Sequence, residues 1–301
     1  MTRTCIIFNP TARGDKAASF RSHLDSLSAQ YTLRPTDAAG AARRMAREAV
    51  QEGFEVIVAA GGDGTVNEVV NGISDFPDGW VRASLAILPL GTVNVFAKEL
   101  GIPSDILRAL ALLREGHLSQ RDLPSAEFTS GVATERRCFV QLAGAGLDSR
   151  AIARVQWKLK KRFGPLAYVV AGMGALREKV SPVQVASAER QMEGELVLVG
   201  KGRYYGGRYV LFPKAAPDDG FLDVVVYPRV GLAQLAGFGL GWLRGNLHRF
   251  TGAVSWKTRA VTVSCSASMP FELEGDNVGQ LPVTFRSTGR LMRVWGRQVI
   301  A

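Results

Sequence analysis

The sequence predicts two domains of different class: an α/β domain with a parallel sheet, followed by an antiparallel β-sandwich. Two observations carry this. As far as Gln120, short β-rich runs alternate with helix-forming stretches, the pattern of βαβ units. Beyond it, short strands follow one another between Gly, Pro and Asp, the pattern of a sandwich or barrel. A chain of 301 residues, 47% hydrophobic, can bury the core that two domains need.

The elements follow in order. "TCIIF" is a strand ending at "NPTARG", and a helical stretch follows over 16–28. "AAGAARRMAREAVQEG" is rich in Ala, Arg and Glu and ends at Gly53, as a helix should. "FEVIVAA" is a strand, "TVNEVVNGI" opens a helix, and "ASLAILPL" is a strand. "VNVFAKELG" is a helix closed by Gly101 with Pro103 beyond, and "DILRALALLREG" is another closed by Gly116. The strands that follow are "RRCFVQL", "GELVLVG", "GRYVLF", "FLDVVVY", "AVTVSCS", "FELEG", "LPVTFRS" and "LMRVWG". Helical stretches near 152–178 and 232–248 interrupt them. The boundary falls within 121–127, giving an α/β domain over 1–124 and a sandwich over 125–290.

Composition narrows the function. A formal charge of +10 favours acidic partners: nucleic acid, anionic lipid or phosphorylated substrates. Cys5, Cys138 and Cys265 are far apart and odd in number, which fits a reducing compartment and no disulfide framework. His23, His117 and His248 are equally scattered, so no zinc-type spacing exists. The first apolar run is too short for a signal peptide, and no stretch reaches the roughly 18–20 apolar residues that span a bilayer. The expected location is cytoplasmic.

Ligands of open parallel sheets bind at the carboxyl ends of the strands. Three such ends look specialised here: "NPTARG", "GGDGT" and "PLGTVN". Thr65 and Glu68 form a T-x-x-E capping box, which expects Thr65 to cap the helix. Gly61, Gly62 and Gly64 permit positive φ and close backbone approach, and free N–H groups at the helix start can hold phosphate oxygens. A ligand-free strand–helix turn would also use glycines, but it gives no reason for Asp63 to sit among them. A carboxylate beside a phosphate makes sense with Mg²⁺ between them.

These motifs resemble those of the diacylglycerol kinase catalytic domain family, which includes soluble bacterial lipid kinases and sphingosine kinases. "GGDGTVNEVVNG" is similar to the family signature, and "IFNPTARG" to its Asn-Pro loop. "LPLGTVNVFAKELGIP" resembles its Gly-Thr-x-Asn segment, "AGAGLDSRAI" its Gly-x-Gly-Phe-Asp segment, and "APDDGFLDVVV" its Asp-Gly turn. "FELEGD" stands where the family has Asp-Gly-Glu. The six motifs occur in the family's order over nearly the whole chain; the glycine loop alone is shared with NAD kinases and phosphofructokinases. The resemblance implies an ATP-binding α/β domain, a lipid-binding sandwich, an active site between them, and a chain end, 291–301, that returns to the first domain.

Residue by residue, the resemblance implies a nucleotide site lined by Asn9, Gly62, Gly64, Thr65 and Thr92, with Gly61, Glu68 and Asn94 counted in it. Asp63 and Asp148 would join a Mg²⁺ network, Asp63 having a catalytic part. Asp219, with the carbonyls of Ala216 and Phe221, would hold a second, structural Mg²⁺; a plain turn favoured by Pro, Asp and Gly reads equally well. The chain departs from the pattern twice. Val95 stands where relatives often carry a metal-binding Asp, and only Glu99, one helical turn later, could compensate. Glu274-Gly275-Asp276 exchanges the family's Asp and Glu, so Glu274 becomes the expected general base and Asp276 the weaker candidate. A hairpin turn with solvated acids is the plainer reading of those residues.

The function expected is ATP- and Mg²⁺-dependent phosphoryl transfer to a lipid hydroxyl, with diacylglycerol or a related lipid as acceptor. The alternatives are NAD kinase, which shares the loop, and a catalytically silent nucleotide- or lipid-binding protein. A nucleic-acid partner would explain the charge but none of the motifs. "VQWKLKKRFGPLAYVVAGMGALREK", with Trp157 and Phe163, and "PRVGLAQLAGFGLGWLRGNLHRF", with Trp242, set basic residues beside apolar ones, as a peripheral membrane contact requires. Each alone reads more readily as a buried helix; a lipid substrate favours contact with the inner membrane face through at least one. Oligomeric state stays open, a homodimer included.

Overall fold

The computed structural model describes residues 2–12, 14–147, 181–247 and 252–297. They fall into two compact units, one of residues 1–123 with 290–301, the other of residues 124–289.

The first unit is built on β1 (Thr4–Phe8), β2 (Thr32–Pro35), β3 (Val56–Gly61), β4 (Ser84–Pro89), β5 (His117–Asp122) and β20 (Leu291–Gly296), in the order β2-β1-β3-β4-β20-β5. Every pairing is parallel except β20 with β5. The central β3 and β4 are buried along their whole length, which is why "VIVAA" and "LAILP" read as unbroken apolar runs. The edge strands β2 and β5 are polar and partly exposed.

The helices are α1 (Asp15–Ser22), α2 (Leu24–Ser28), α3 (Ala41–Gln51), α4 (Asp63–Ser74), α5 (Gly79–Arg82), α6 (Val95–Glu99) and α7 (Ile106–Glu115). α3 buries an alanine face, with Ala42, Ala46 and Ala49 inside. α4 approaches that face so closely that a Cβ on Gly72 would lie 2.1 Å from the Arg43 carbonyl oxygen. Arg43 then closes the pair by a two-point bond to Asp75, at 2.6 and 2.8 Å.

The second unit is a sandwich. Its strands are β6 (Ser125–Ser130), β7 (Ala133–Cys138), β8 (Leu142–Gly146), β9 (Val183–Ser187), β10 (Gln191–Gly194), β11 (Leu196–Gly200), β12 (Tyr204–Tyr205), β13 (Tyr209–Val210), β14 (Leu222–Tyr227), β15 (Val254–Thr258), β16 (Ala260–Ser264), β17 (Pro270–Leu273), β18 (Asp276–Gln280) and β19 (Val283–Arg286). Two antiparallel sheets, β10-β9-β16-β19-β6-β7 and β15-β14-β11-β8-β17-β18, enclose a core in which Phe271 meets Phe128 and Phe285 edge-on. The second sheet is also covered outside. Val197, Val199, Val224 and Val226 face the sandwich core, while Leu196, Leu198, Val225 and Tyr227 face a second cluster with Phe212 and Phe238. Phe238 is carried by α8 (Leu232–Leu243). β11 and β14 are therefore buried on both faces and show no alternation of polar and apolar residues.

"LMRVWG" reads with the strands of the sandwich by its own pattern; as β20 it enters the sheet of the first unit, between β4 and β5, the unit to which the resemblance sends residues 291–301. The expected helix over 152–178, with the basic segment around Trp157 and Phe163, lies outside the described residues. Among the described residues no helix is long and apolar enough to cross a membrane.

Replacing a helix-interior Gly by Ala ordinarily stabilises by up to about 1 kcal/mol. Gly72→Ala is expected to do the opposite, costing about 1–3 kcal/mol in urea unfolding because α3 must move away. A gain in stability would show that α3 and α4 are not packed this closely.

Candidate active site

The ends of β1, β3 and β4 lie at one edge of the parallel sheet, where Phe8 pairs with Ala60 and Gly61 with Pro89. After β1, Asn9 shapes the loop: its Oδ1 accepts from the Thr11 N–H at 2.9 Å and the Thr11 hydroxyl at 2.8 Å.

After β3, the helix starts earlier than the capping-box reading expects. Asp63 is the first residue of α4, Gly62 is the N-cap in extended conformation, and no side chain caps the helix. Thr65 lies inside the first turn, against Gly61, where a Cβ would meet its Oγ1 at 2.3 Å. Gly61, Gly62 and Gly64 are not among the residues of positive φ; at Gly61 the glycine is needed for close approach to Thr65. A Cβ on Gly91, at the end of β4, would lie 2.5 Å from the Gly62 Cα, so the two loops touch through glycines.

Glu68, expected to complete the box, turns instead to α3. Its Oε1 accepts from the Gly40 N–H at 2.9 Å and its Oε2 from the Ala42 N–H at 3.0 Å. It binds the amides at the start of another helix, which corrects the box. A helix start leaves N–H groups without intrahelical partners, and those of α4 open at the sheet edge beside Gly62, Gly64 and Thr65.

After β4, Asn94 is buried at φ 53° and holds the loop from within. Its Oδ1 accepts from the Gly91 N–H at 3.0 Å, and its Nδ2 donates to the Gly91 carbonyl at 2.6 Å. Asn94 is thus spent on loop geometry, whereas Thr92 is exposed. Asp63 joins this loop to the other: its Oδ1 accepts from the Val95 N–H at 2.7 Å. Burial pushes its carboxyl above the ordinary carboxylate range, against the pull of the Val95, Phe96 and Asn94 N–H groups and of Lys98. The position that costs the chain a carboxylate, Val95, contributes its backbone instead. Asp148 lies outside the described residues, and among those described no three His, Cys, Asp or Glu side chains gather as a metal site. Glu99, at the end of α6, completes no such group.

Glu274 follows β17 and opens the turn to β18 with φ 56°, ahead of Gly275 at φ 89°. One carboxylate oxygen, Oε1, accepts from the Val140 and Gln141 N–H groups, both at 2.7 Å. Its own N–H donates to the Leu142 carbonyl at 2.9 Å. The side chain is therefore fixed on two backbone N–H groups just before β8, and the backbone of the residue on a third group, at the first residue of β8. Asp276 is exposed. Glu272, which sequence reasoning did not single out, is fully buried, and its Oε2 accepts from the Gly275 N–H at 2.6 Å. The turn is not a pair of solvated acids.

At the Asp-Gly turn, the expected second Mg²⁺ meets a different arrangement. The Asp219 carboxylate and the Phe221 carbonyl both accept from the ammonium of Lys201. Ala216 adds no bond to this group among the described contacts. Lys201 escaped sequence reasoning; the signal was a lysine ending the apolar strand "LVLVG", where a charge must find a partner.

Comparison with known proteins identifies the family. Residues 3–126 match the family described as diacylglycerol kinase catalytic domain, and residues 141–296 match the YegS C-terminal NAD kinase beta sandwich-like domain. A diacylglycerol kinase of Staphylococcus carnosus (strain TM300) is 30% identical over 300 residues, covering 97% of this chain and 94% of the relative. One from Staphylococcus saprophyticus is 30% identical over 290 residues, covering 94% and 92%. A crystal structure of a diacylglycerol kinase from Bacillus anthracis str. Sterne shares the fold, with a TM-score of 0.76, 23% identity, and coverage of 100% of this chain and 98% of that one.

Glu68→Ala removes the acceptor of two N–H groups and is expected to cost about 1.5–3 kcal/mol in thermal or urea unfolding. Nucleotide affinity, measured by calorimetry, is expected to stay unchanged. Weaker nucleotide binding with unaltered stability would return Glu68 to the binding site.

Proposed function

The chain belongs to the diacylglycerol kinase catalytic domain family, and we propose that it is an ATP-dependent lipid kinase that phosphorylates the hydroxyl of diacylglycerol or a related lipid. The observation that carries the reading is the uncapped start of α4, beside the touching Gly62 and Gly91, at the carboxyl edge of the parallel sheet. Such a helix start gathers N–H donors for phosphate oxygens.

In this reading Gly62, Gly64 and Thr65 hold phosphate through their backbone, and Asn9 and Thr92 border it. Mg²⁺, when bound with the nucleotide, neutralises phosphate charge. Asp63 is the carboxylate available to it among the described residues, and Mg²⁺ needs only one or two beside the phosphates and waters. Phosphoryl transfer demands positioning and charge stabilisation more than covalent help. The tie between Asp63 and Val95 meets the first demand by fixing the two loops before any ligand arrives. Glu274 is the proposed acceptor of the lipid hydroxyl proton, its carboxylate orientation set by the Val140 and Gln141 N–H groups.

A lipid acceptor calls for contact with a membrane surface. α8 supports it: Phe238 packs against Tyr227 at 5.1 Å, while Leu240 and Leu243 are exposed beside Arg244. An apolar edge flanked by a cation suits a peripheral contact with anionic lipid.

Purified protein with labelled ATP, Mg²⁺ and a total lipid extract is expected to yield a labelled lipid. Labelled NADP from a parallel tube holding NAD would overturn the reading, and bound ATP with no transfer would favour the silent protein. Asp63→Ala and Glu274→Ala are expected to abolish turnover in a folded protein. Asp63→Asn, which still accepts the Val95 N–H, is expected to keep parental stability and lose turnover. Full activity of Glu274→Ala would remove it as the base. In flotation with anionic vesicles, Leu243→Asp is expected to bind more weakly than the parent; equal binding would place the membrane contact elsewhere.

A further inference from the structure

Lys201 follows the last residue of β11 and is 4% exposed. Its backbone N–H donates to the Gln141 carbonyl at 3.0 Å, which fixes the residue at the strand end. Its ammonium donates to Asp219 Oδ1 at 2.8 Å and to the Phe221 carbonyl at 2.9 Å. A carboxylate oxygen and a carbonyl two residues later are oxygen ligands of the kind a hard divalent cation takes. Here both already bind a cation.

The rest of the cluster completes the balance. The ammonium of Lys257, on β15, donates to the other oxygen of Asp219 at 2.6 Å and to Asp223 Oδ2 at 3.3 Å. Asp223 and Lys257 are cross-strand partners on β14 and β15. The Phe221 N–H also donates to Asp219 Oδ1, at 3.1 Å. Two ammonium groups thus face two carboxylates, and both oxygens of Asp219 are engaged. A divalent ion between Asp219 and Phe221 would stand against the Lys201 ammonium and leave the cluster with two excess positive charges. Expelling that ammonium would strand a buried charge, which is costly.

We infer that the Lys201 ammonium takes the place of a divalent cation at the Asp-Gly turn, so that the second unit needs no metal there. Burial alone would raise the Asp219 carboxyl, but the bonds from Lys201, Lys257 and the Phe221 N–H hold it down at about 2, so it remains an anion for both lysines. The inference does not depend on the kinase reading, since a catalytically silent chain would carry the same cluster.

The test uses the full chain without nucleotide. Crystals soaked in Mn²⁺ are expected to show no anomalous density between Asp219 and the Phe221 carbonyl; a peak there overturns the inference. In solution, the parent is expected to melt at the same temperature in EDTA as in millimolar Mg²⁺. A rise with Mg²⁺ that Asp219→Ala abolishes would overturn it equally. Lys201→Met, which keeps the length and loses the charge, is expected to melt several degrees lower in EDTA; a parental melting temperature would show that the ammonium does not hold the turn. Activity enters none of these readings.

Discussion

One hydrogen bond organises the carboxyl edge of the sheet in the first unit: the Val95 N–H reaches the Asp63 carboxylate at 2.7 Å. Asp63 begins α4 and Val95 begins α6, so the bond joins two helix starts that leave adjacent strands. Each helix start needs acceptors for its N–H groups, and a carboxylate is a strong one. The bond satisfies α6 with a side chain from α4 and leaves α4 uncapped. The glycines follow from the same constraint. The loops can be tied only if their backbones touch, and Gly91, against the Gly62 Cα, has no room for a Cβ. Asn94, buried at positive φ, then holds the β4 loop in the shape that aims the Val95 N–H.

The second unit uses buried charge differently. Glu272 and Glu274 pin a two-residue turn by accepting backbone N–H groups, and Lys201 pins the Asp-Gly turn by donating to it. Glu274 and Lys201 fix a loop at a sheet end through partners elsewhere in the chain, whereas Glu272 binds within its own turn. Fixed turns suit a protein that must present groups without reorganising them, which is what phosphoryl transfer asks of its catalyst.

The class of each unit was legible because burial on both faces leaves unbroken apolar runs, as in β3 and β4, and because Gly and Pro punctuate the sandwich. The polar edge strands β2 and β5 carry no such signal and escaped. β20 could not be assigned by its own residues, since its neighbours lie some two hundred residues earlier. The glycine edge of the candidate site was legible from its motifs. The Thr65–Glu68 box was misread because a local pattern cannot show that Glu68 is claimed by α3. Lys201, at the end of "LVLVG", signalled a charge in need of a partner, but its partners could not be read locally, since they lie 18 and 20 residues later, beyond two more strands. Local chemistry showed which residues matter, and tertiary partners decided what several of them do.

The central claim is that Asp63 ties the two loops through the Val95 N–H before any nucleotide binds. Hydrogen exchange at the Val95 and Phe96 amides, read by NMR without ligand, tests it most directly. The account predicts that Asp63→Ala loses protection at these amides while β3 and β4 keep theirs, and that Asp63→Asn retains most of it. Exchange at Val95 as slow in Asp63→Ala as in the parent would contradict it.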